Sequence, residues 1–324
     1  MKKILITGGG GYVGSMLIPK LISAGYEIKC LDRFFFGDEF LKKNQLKGKL
    51  ELIRDDIRWF NPKILENIDV VMDLAALSND PVGELNPEKT FEINHLGRVR
   101  VAKLSRDAGV PQYILASSAS IYGQQENIAN ETSPVSPLTV YSKANHKAEM
   151  DVLKLKNSDF AVTVLRFSSI YGKSERMRFD ISVNSMVLDL FKTGKIVVRG
   201  KKNTRPFIHI KDAVKAYEMV LLSDLDKISG EILNVGSNNQ NYSMEELSKQ
   251  IGKSIESQFE LELGNNVDHR SYSLNFDKIK KLIGFSTDYT LSDGVKEIFE
   301  SLKNGTLIPT TQTITLDWYK KILN

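Results

Sequence analysis

Residues 4–14 read ILITGGGGYVG, and this stretch decides the fold because a β-branched run passes directly into a cluster of glycines. The run predicts a buried strand, and Gly8, Gly11 and Gly14 permit a tight turn and a close approach of backbone to ligand. Asp32 closes the next strand candidate, eighteen residues after Gly14 (32 − 14). This arrangement places a pyrophosphate on a helix N-terminus and an adenosine ribose on the carboxylate. We therefore predict a dinucleotide site; the alternative is a flexible glycine turn.

The type of dinucleotide follows from Asp32. A carboxylate at this position repels the 2′-phosphate of NADP, so we expect NAD. Arg33, the next residue, weakens this preference without reversing it.

The first half of the chain alternates short β-branched runs with longer amphipathic stretches. The strand candidates are residues 3–7, 27–32, 50–54, 70–75, 112–117 and 161–167, and a helix is expected from Asn86 and Pro87 to Gly109. This alternation predicts an α/β fold, a doubly wound parallel sheet of the Rossmann type. We expect residues 1–167, with parts of 205–230 returning to them, to form the NAD-binding domain. Residues 168–324, with strand candidates at 195–200, 205–210 and 231–236, form a smaller, interleaved C-terminal α/β lobe.

Composition excludes several other classes of protein. The 324 residues are 41% hydrophobic and 26% charged, and 44 basic against 40 acidic side chains leave a formal charge of +4 without a basic block. Nucleic acid and membrane are therefore not expected partners. Cys30 is the only cysteine, which excludes an internal disulfide and suits a reducing compartment. Glycines interrupt the first apolar run too early for a signal peptide, and no apolar run is long enough for a membrane helix. We therefore expect a cytoplasmic protein.

Metal and ATP chemistry find no support in the sequence. The four histidines, His95, His146, His209 and His269, are scattered and have no metal-ligand spacing. We expect no metal, and His209 is interpreted as a core histidine in a strand. No phosphate loop ending in Gly-Lys-Ser/Thr is present.

An ordered series of motifs then carries a resemblance over nearly the whole chain. The motifs are RDDI (54–57), DLAAL (73–77), EIN (92–94), SSASIYG (117–123), YSKAN (141–145), LRFSSIYG (165–172), RPFIHIKD (205–212), NVG (234–236) and HRSYS (269–273). Together with the glycine stretch, they resemble the extended short-chain dehydrogenases, or NAD-dependent epimerase/dehydratase family, whose usual substrates are nucleotide sugars. The resemblance implies a homodimer, an NAD-binding domain and a C-terminal lobe that binds mainly the nucleotide sugar.

The resemblance also implies roles for particular residues. Asp56 and Ile57 flank the adenine, while Ala75, Ala76 and Asn94 line the path of the cofactor phosphates and ribose. The full implied NAD site is Gly8, Gly11, Tyr12, Val13, Gly14, Asp32, Asp56, Ile57, Ala75, Ala76, Asn94, Ser117, Tyr141 and Asn145. Ser118 hydrogen-bonds the reacting sugar oxygen, and Tyr141 is the acid/base for the hydroxyl proton. Taken singly, a buried strand-end serine and a packing tyrosine are the alternatives.

On the substrate side, the resemblance implies a set of polar residues that grip the nucleotide. They are Arg176, Arg178, Asn184, Arg205 and Arg270, with residues 174–186 opening a helix. A planar guanidinium with five donors suits ribose and pyrophosphate. The segments 174–186 and 269–273 most resemble a branch of nucleotide-sugar epimerases and GDP-heptose-type oxidoreductases. The alternative is that these arginines are ordinary surface charges.

The position after Ser118 bears on the reaction. Family members that dehydrate a sugar carry an Asp-Glu pair directly after the catalytic Ser or Thr, because two extra groups are needed to protonate the leaving hydroxyl and take the carbon-bound proton. Here Ala119 and Ser120 stand there. Dehydration is therefore disfavoured, and epimerisation, carbonyl reduction or alcohol oxidation remains.

Asn145 departs from the family pattern, which has lysine four residues after the catalytic tyrosine. None of the eleven tyrosines has a lysine at that spacing. Lys143 lies about 200° around an ideal helix from Tyr141 and does not replace it, and neither does Lys147. An asparagine can hydrogen-bond the nicotinamide ribose but cannot lower the tyrosine pKa.

Two hypotheses follow from this departure. In the first, the protein is an active nucleotide-sugar oxidoreductase whose Tyr141 has a pKa raised above that of its relatives, so that ketone reduction is less impaired than alcohol oxidation. In the second, it is a catalytically silent protein that binds NAD or a nucleotide sugar. Retention of Ser118 and Tyr141 favours the enzyme, since a sensor needs no acid/base pair.

Overall fold

The glycine-rich stretch follows the first strand of a seven-stranded parallel sheet flanked by helices. The structure is a computed structural model that describes residues 2–43, 48–198, 200–256, 259–264 and 269–323. The strands are β1 (Lys3–Thr7), β2 (Glu27–Asp32), β3 (Leu50–Arg54), β4 (Val70–Asp73), β5 (Gln112–Ser118), β6 (Ala161–Phe167), β7 (Ser169–Tyr171), β8 (Lys195–Val198), β9 (Thr204–His209), β10 (Ile232–Val235), β11 (Asn241–Ser243) and β12 (Glu260–Leu263).

The helices alternate with these strands along the first half of the chain. They are α1 (Gly14–Ser23), α2 (Glu39–Lys43), α3 (Asp80–Gly83), α4 (Pro87–Phe91), α5 (Arg98–Asp107), α6 (Val140–Leu153), α7 (Ser182–Thr193), α8 (Ile210–Leu222), α9 (Leu225–Ile228), α10 (Met244–Ser254), α11 (Asp277–Ile283), α12 (Leu291–Lys303) and α13 (Thr315–Leu323). Short 3-10 turns lie at Pro62–Leu65, Ala119–Tyr122, Asn238–Gln240 and Thr311–Thr313, and a π-helical segment at Glu92–Gly97. The predicted α/β fold is confirmed.

The order of strands explains why the glycine stretch matters. The strand order of the large sheet is β3-β2-β1-β4-β5-β6-β10. Successive strands are added on one side of β1 up to β3 and on the other side from β4 onward, so the switch point lies between β1 and β4. Ligands of open α/β sheets bind in the crevice at this switch point, outside the carboxyl ends of the strands. Gly8 follows β1 and Ala75 follows β4, which places both at that crevice.

The turn after β1 is too close to β4 for any side chain. Gly8 has φ +70°, and a Cβ atom built on it lies 2.7 Å from the backbone of Ala75. A Cβ on Gly14 lies 2.5 Å from the Cα atom of Gly9. The strand expected at 70–75 therefore ends at Asp73, because the backbone leaves the sheet where the glycine turn approaches Ala75.

The helix expected between Asn86 and Gly109 is interrupted by one wider turn. Asn86 caps α4 through its side chain, which accepts from the amide of Lys89. Residues 92–97 then form the π segment, and α5 continues to Asp107. Such π turns commonly occur where a helix adjusts to a functional site. Here the adjustment turns Asn94 inward, where its side chain pairs with both backbone polar groups of Leu77 (2.8 and 3.0 Å).

The chain divides into two compact units. The first comprises Met1–Ile121, Pro137–Arg166 and Val214–Leu233 and contains most of the large sheet. One face of that sheet is covered by an apolar core that includes Leu5, Val71, Val101, Leu115 and Val152.

The second unit comprises Tyr122–Ser136, Phe167–Ala213 and Asn234–Asn324. It contains the three-stranded sheet β11-β9-β7, the parallel pair β8 and β12, and α7, α10 and α12, which pack together. His209 lies in β9 and is buried, with Nε2 3.3 Å from the Glu297 carboxylate and its ring stacked on Tyr289. It is the core histidine that its strand position indicates.

The described residues form neither a membrane-spanning helix nor a metal cluster. None of their helices is long and apolar enough to cross a membrane. They also contain no group of three or more His, Cys, Asp or Glu side chains arranged to hold a metal ion.

The close approach of Gly8 to Ala75 leads to a test with a matched control. We expect Gly8→Ala to lower the free energy of unfolding by about 2 kcal/mol or more, because alanine strains both φ and the packing. Gly109 has a similar φ of +77° but nothing within 4 Å of an added Cβ. Gly109→Ala should therefore cost only about 1 kcal/mol. Urea unfolding measures both, and equal losses would contradict a steric role for the turn.

Candidate active site

The N-terminus of α6 holds Tyr141 in a defined place. Thr139 caps the helix by accepting from the amide of Ser142 (3.1 Å), and the Ser142 hydroxyl accepts in return from the Thr139 amide (3.0 Å). Such a capping box satisfies two amides that a helix start otherwise leaves unpaired. Thr139 also donates to the carboxylate of Asp80 in α3. Tyr141 is consequently fixed in the first turn and lies half-buried.

Gly83 allows α3 to approach that turn. A Cβ atom built on Gly83 lies 2.9 Å from the Cβ of Tyr141, so any side chain at position 83 displaces the tyrosine. This glycine gave no signal in the sequence, because the contact joins two helices far apart along the chain.

The two serines at the end of β5 have different partners. Ser118 is half-buried, and its hydroxyl accepts from the amide of Ser120 (3.1 Å). Ser117 is buried and donates to the carboxylate of Glu149 in α6. Ser117 is therefore part of the support beneath the site, whereas Ser118 lies at the strand end. Their roles toward NAD and sugar remain predictions.

Glu149 forms a buried ion pair behind Ser117. Its two oxygens accept from Nε (3.1 Å) and Nη2 (2.8 Å) of Arg166 in β6, and both side chains are almost fully buried. Burial opposes ionisation, but contact with His146 and the charge and hydrogen bonds of Arg166 outweigh it and hold the pKa of Glu149 below its ordinary value. The pair ties α6 to the central strands.

Asn145 is 2% exposed and does not stand alone on its helix face. Its Nδ2 donates to the backbone oxygen of Tyr141 (2.8 Å), one turn earlier. Its Oδ1 accepts from Nη1 of Arg98 (2.8 Å), which reaches it from α5. We predicted no cation on this face, and the structure corrects that prediction: the guanidinium of Arg98 contacts the amide that stands in place of lysine.

Arg98 is one of the most deeply buried charges in the described residues, with 1% exposure. Its Nε lies 3.3 Å from the carboxylate of Asp73 at the end of β4, and Nη2 donates to the backbone oxygens of Asp73 (3.0 Å) and Ala116. Asp73 also accepts from the hydroxyl groups of Thr7 and Tyr113. Burial, with Asp73 close by, raises the pKa of Tyr113 well above its ordinary value, so it stays a donor.

Arg98 is the main site residue that the sequence did not reveal, although a signal existed. The buried positions of α5 are 98, 101, 102 and 105, which is the spacing of one helix face. Arg98 therefore occupies the apolar stripe, where an unpaired charge is not tolerated. By contrast, Lys143 and Lys147 are exposed, as the helical spacing predicts.

The predicted adenosine end has a carboxylate held in place by backbone amides. Asp32 accepts from the amides of Gly10 (2.9 Å) and Phe34 (2.6 Å). Arg33, which weakened the preference for NAD, points to Asp56 instead (3.2 Å). Asp56 is buried, which opposes its ionisation, but the hydrogen bonds and charge of Arg58, together with Arg33, hold its pKa below the ordinary value.

Other residues of the predicted NAD site lie in the same structural unit. Ile57 and Tyr12 are buried, and Ile57 belongs to the core, where it packs against Gly97. Val13, Ala75 and Ala76 are half-buried, and the amide of Ala75 donates to Thr7 (3.2 Å). Gly11 accepts from the amide of Ser15 in the first turn of α1 (3.0 Å).

The predicted substrate residues lie in the second unit and are not surface charges. Arg176, Arg178 and Arg205 are each 6% exposed, which excludes the alternative interpretation for these three. Arg178 holds the Asp180 carboxylate through Nε and Nη2 (3.1 and 2.6 Å), and Nη2 of Arg176 donates to Thr315 (2.9 Å). Whether they bind a nucleotide remains a prediction.

Arg205 and Asn184 complete this group. The guanidinium of Arg205 lies 5.0 Å from the centre of the Tyr272 ring and donates to the backbone oxygen of Arg270, which is half-buried. Asn184 is fully buried in α7 and accepts from the amide of Gly172 (3.0 Å) while donating to the backbone oxygen of Arg178 (2.8 Å). It therefore fixes the backbone of the segment that carries the arginines.

The first unit fits a bound NAD. The glycine turn, here called the glycine cradle, packs too closely against Ala75 and Gly9 for a side chain at Gly8 or Gly14, and it lies at the switch point where dinucleotides bind. Asp32 is held at the end of β2 by two amides, and a carboxylate at this position can accept hydrogen bonds from a ribose. Bound there, NAD would supply the acceptor or donor of a hydride.

Comparison with known proteins shows the family of this chain and supports NAD as its cofactor. Residues 4–236 match the family model described as the NAD dependent epimerase/dehydratase family. The chain is 29% identical, over 93% of its length and 99% of the relative's, to a putative UDP-glucose 4-epimerase of Methanocaldococcus jannaschii. It is 27% identical to UDP-glucuronic acid decarboxylase 1 of Xenopus tropicalis, over 91% of this chain and 71% of the relative. A solved structure of MoeE5 in complex with UDP-glucose and NAD superposes with a TM-score of 0.81 and 25% identity, covering 94% of this chain and all of that one.

The Arg166–Glu149 pair predicts how stability depends on pH. Because the folded pKa of Glu149 is below its ordinary 4.5, its contribution is complete above about pH 4.5 and is lost as pH falls through the folded value. Glu149→Gln leaves Arg166 buried without a counter-charge and should cost about 3 kcal/mol at pH 7. Urea unfolding of both proteins between pH 7 and pH 3 measures this, and a difference that does not shrink toward acid pH would contradict it.

Proposed function

Because the chain belongs to the NAD dependent epimerase/dehydratase family, we propose that it oxidises or reduces a sugar ring carbon of a nucleotide sugar, with Ser118 and Tyr141 at the reacting oxygen. Membership confirms the expected NAD-dependent enzyme and its cofactor. The observation that carries the proposal is the placement of these two side chains, at the end of β5 and in the first turn of α6, in the unit that holds the glycine cradle.

The chemistry assigned to each residue follows from its surroundings. Ser118 is half-buried at a strand end and can donate its hydroxyl hydrogen to the sugar oxygen while it accepts from Ser120. Tyr141 is held by the cap of α6 and transfers the hydroxyl proton to or from the same oxygen. Fixed donors of this kind do not need to reorganise as charge develops.

The reaction type rests on the two positions after Ser118. Ala119 and Ser120 are both buried, and neither is a titratable acid or base for water elimination. We therefore favour epimerisation, ketone reduction or alcohol oxidation over 4,6-dehydration, a choice that the family name leaves open.

The substrate class is supported by the relatives and by the second unit. The Methanocaldococcus and Xenopus relatives are named for UDP-sugar reactions, which favours a nucleotide sugar here too. Arg176, Arg178, Arg205 and Arg270 with Asn184 would grip its diphosphate and ribose. We also propose the homodimer expected from the resemblance, which size-exclusion chromatography with light scattering tests.

A catalytically silent binding protein is the competing function, favoured by the absence of lysine at position 145. Mass spectrometry of cofactor and nucleotide that co-purify with the protein tests both readings. Bound NAD with a nucleotide sugar is expected. Tight NAD binding with neither an absorbance change nor chromatographic conversion of any nucleotide sugar would contradict the enzyme and favour the silent protein.

Removal of the Tyr141 hydroxyl separates chemistry from binding. We expect Tyr141→Phe to lower turnover by about 100-fold or more, as for loss of a general acid/base, with NAD affinity nearly unchanged. Ser118→Ala should also lower turnover, because one donor to the sugar oxygen is lost.

Lys143→Gln is the matched control, since Lys143 lies in the same helix turn but is exposed. Its turnover should equal that of the wild type. Chromatography of the converted nucleotide sugar gives the turnover and calorimetric titration gives the NAD affinity, and full turnover by Tyr141→Phe would exclude the assigned role.

A further inference from the structure

We propose that Arg98 is a positioning residue that supplies, through Asn145, the positive charge of the catalytic face on which lysine is missing; this rests on the proposed function. The guanidinium belongs to α5, and the face that it serves belongs to α6. In the family pattern one lysine supplies both the positive charge and the hydrogen bond to the nicotinamide ribose. Here Arg98 of α5 supplies the charge and Asn145 of α6 supplies the hydrogen bond.

The geometry links Arg98 to the tyrosine by consecutive hydrogen bonds. Nη1 of Arg98 donates to Oδ1 of Asn145, and Nδ2 of Asn145 donates to the backbone oxygen of Tyr141. Both donor–acceptor distances are 2.8 Å. A charged donor polarises the amide, so the Nδ2 hydrogens become stronger donors than those of an isolated asparagine. One of them remains for a hydroxyl group of the bound cofactor.

Asp73 does not remove this effect. Its carboxylate pairs with Nε of Arg98, while Nη1, a different corner of the guanidinium, contacts Asn145. The ion pair is therefore a dipole whose positive end points to the amide of α6. Because both charges are almost fully buried, water screens that dipole weakly.

The identity of residue 145 fits this arrangement. A lysine at position 145 would bring a second buried cation against the guanidinium, and buried like charges repel strongly in a medium of low dielectric constant. An asparagine offers an oxygen to accept the Nη1 hydrogen and adds no charge. Arg98 and Asn145 are therefore a matched pair, which a role of Arg98 as a clamp for strands β4 and β5 does not require.

Other charged and titratable groups lie on α6 itself or on the elements near it. They are Asp80 of α3, Glu84, whose carboxylate accepts from the Val140 amide (2.9 Å), His95 of the π segment with Asp151 (2.8 Å), Asp73 of β4, Tyr113 of β5, Glu149 of α6 and Tyr217 of α8. Asp80 and Glu84 oppose ionisation of the tyrosine, and Glu149 is balanced by Arg166.

Tyr217 reports the field of this cluster. Burial raises the pKa of Tyr217, the Arg98 charge lowers it, and Asp73 and Tyr141 raise it. Arg98, Asp73 and Tyr141 therefore all lie near Tyr217.

Nuclear magnetic resonance of the full chain with saturating NAD tests the proposal. Tyrosines labelled with ¹³C at Cζ are titrated with pH, and the Tyr141 signal is assigned from its loss in Tyr141→Phe. We expect Arg98→Gln to raise the pKa of Tyr141 by about one unit and Arg98→Lys to bring it back toward the wild-type value. The pH profile of turnover should shift in the same direction.

Arg100→Gln is the matched control, because Arg100 lies in the same helix but donates to the backbone oxygens of Ile57 and Phe60. It should leave the Tyr141 titration unchanged. A folded, NAD-binding Arg98→Gln protein with a wild-type Tyr141 titration would overturn the proposal, as would a shift of equal size in Arg100→Gln.

The double variant Arg98→Gln/Asn145→Lys tests the role of Arg98 even if the Arg98→Gln protein does not fold. One cation then replaces another, so we expect stability and a Tyr141 pKa near those of the wild type. A pKa about one unit below the wild type would mean that the lysine adds a charge not present before, and would overturn the proposal. The titration needs no turnover, so a wild type inactive on all nucleotide sugars would contradict the proposed function separately.

Discussion

Buried charges must be paired, and two ion pairs that satisfy this requirement hold the catalytic face together. Arg98 with Asp73 joins α5 to the carboxyl end of β4, and Arg166 with Glu149 joins β6 to α6. Both pairs are nearly inaccessible to water, so removal of one partner leaves an uncompensated charge in the core. The positions of Ser117, Asn145 and Tyr141 depend on these pairs, because each is bonded to a member of a pair or to a residue that is.

The close approach of backbone to backbone at the switch point is the second constraint. Gly8 leaves no room for a Cβ atom against Ala75, and Gly14 leaves none against Gly9. The same close packing brings the N-terminus of α1 to the switch point, where its backbone amides can bind phosphates. Fold and cofactor site share one cause here, which is why one stretch of sequence predicted both.

The strands and the first glycine turn were predictable because their signals are local. Alternation and glycine spacing gave β1, β2, β3 and β6 with their observed bounds. The end of β4 was placed two residues late, since the strand stops at Asp73 just before Ala75 meets the turn at Gly8, 67 residues earlier (75 − 8). The π turn after α4 was also missed because it depends on a contact distant in sequence. Asn94 in this turn accepts a hydrogen bond from the amide of Leu77, which precedes the helix.

At the candidate site, the sequence predicted roles for Tyr141 and Ser118 and showed that the family lysine is missing, but a replacement was sought only along the same helix. Lys143 and Lys147 are exposed, and the cation comes from α5. Arg98 was recognisable as a charge on an apolar stripe, yet its partner was not, because hydrogen bonds between helices depend on how they pack. The segment 141–145 lacks a cation only when α6 is considered alone, because Arg98 of α5 contacts Asn145.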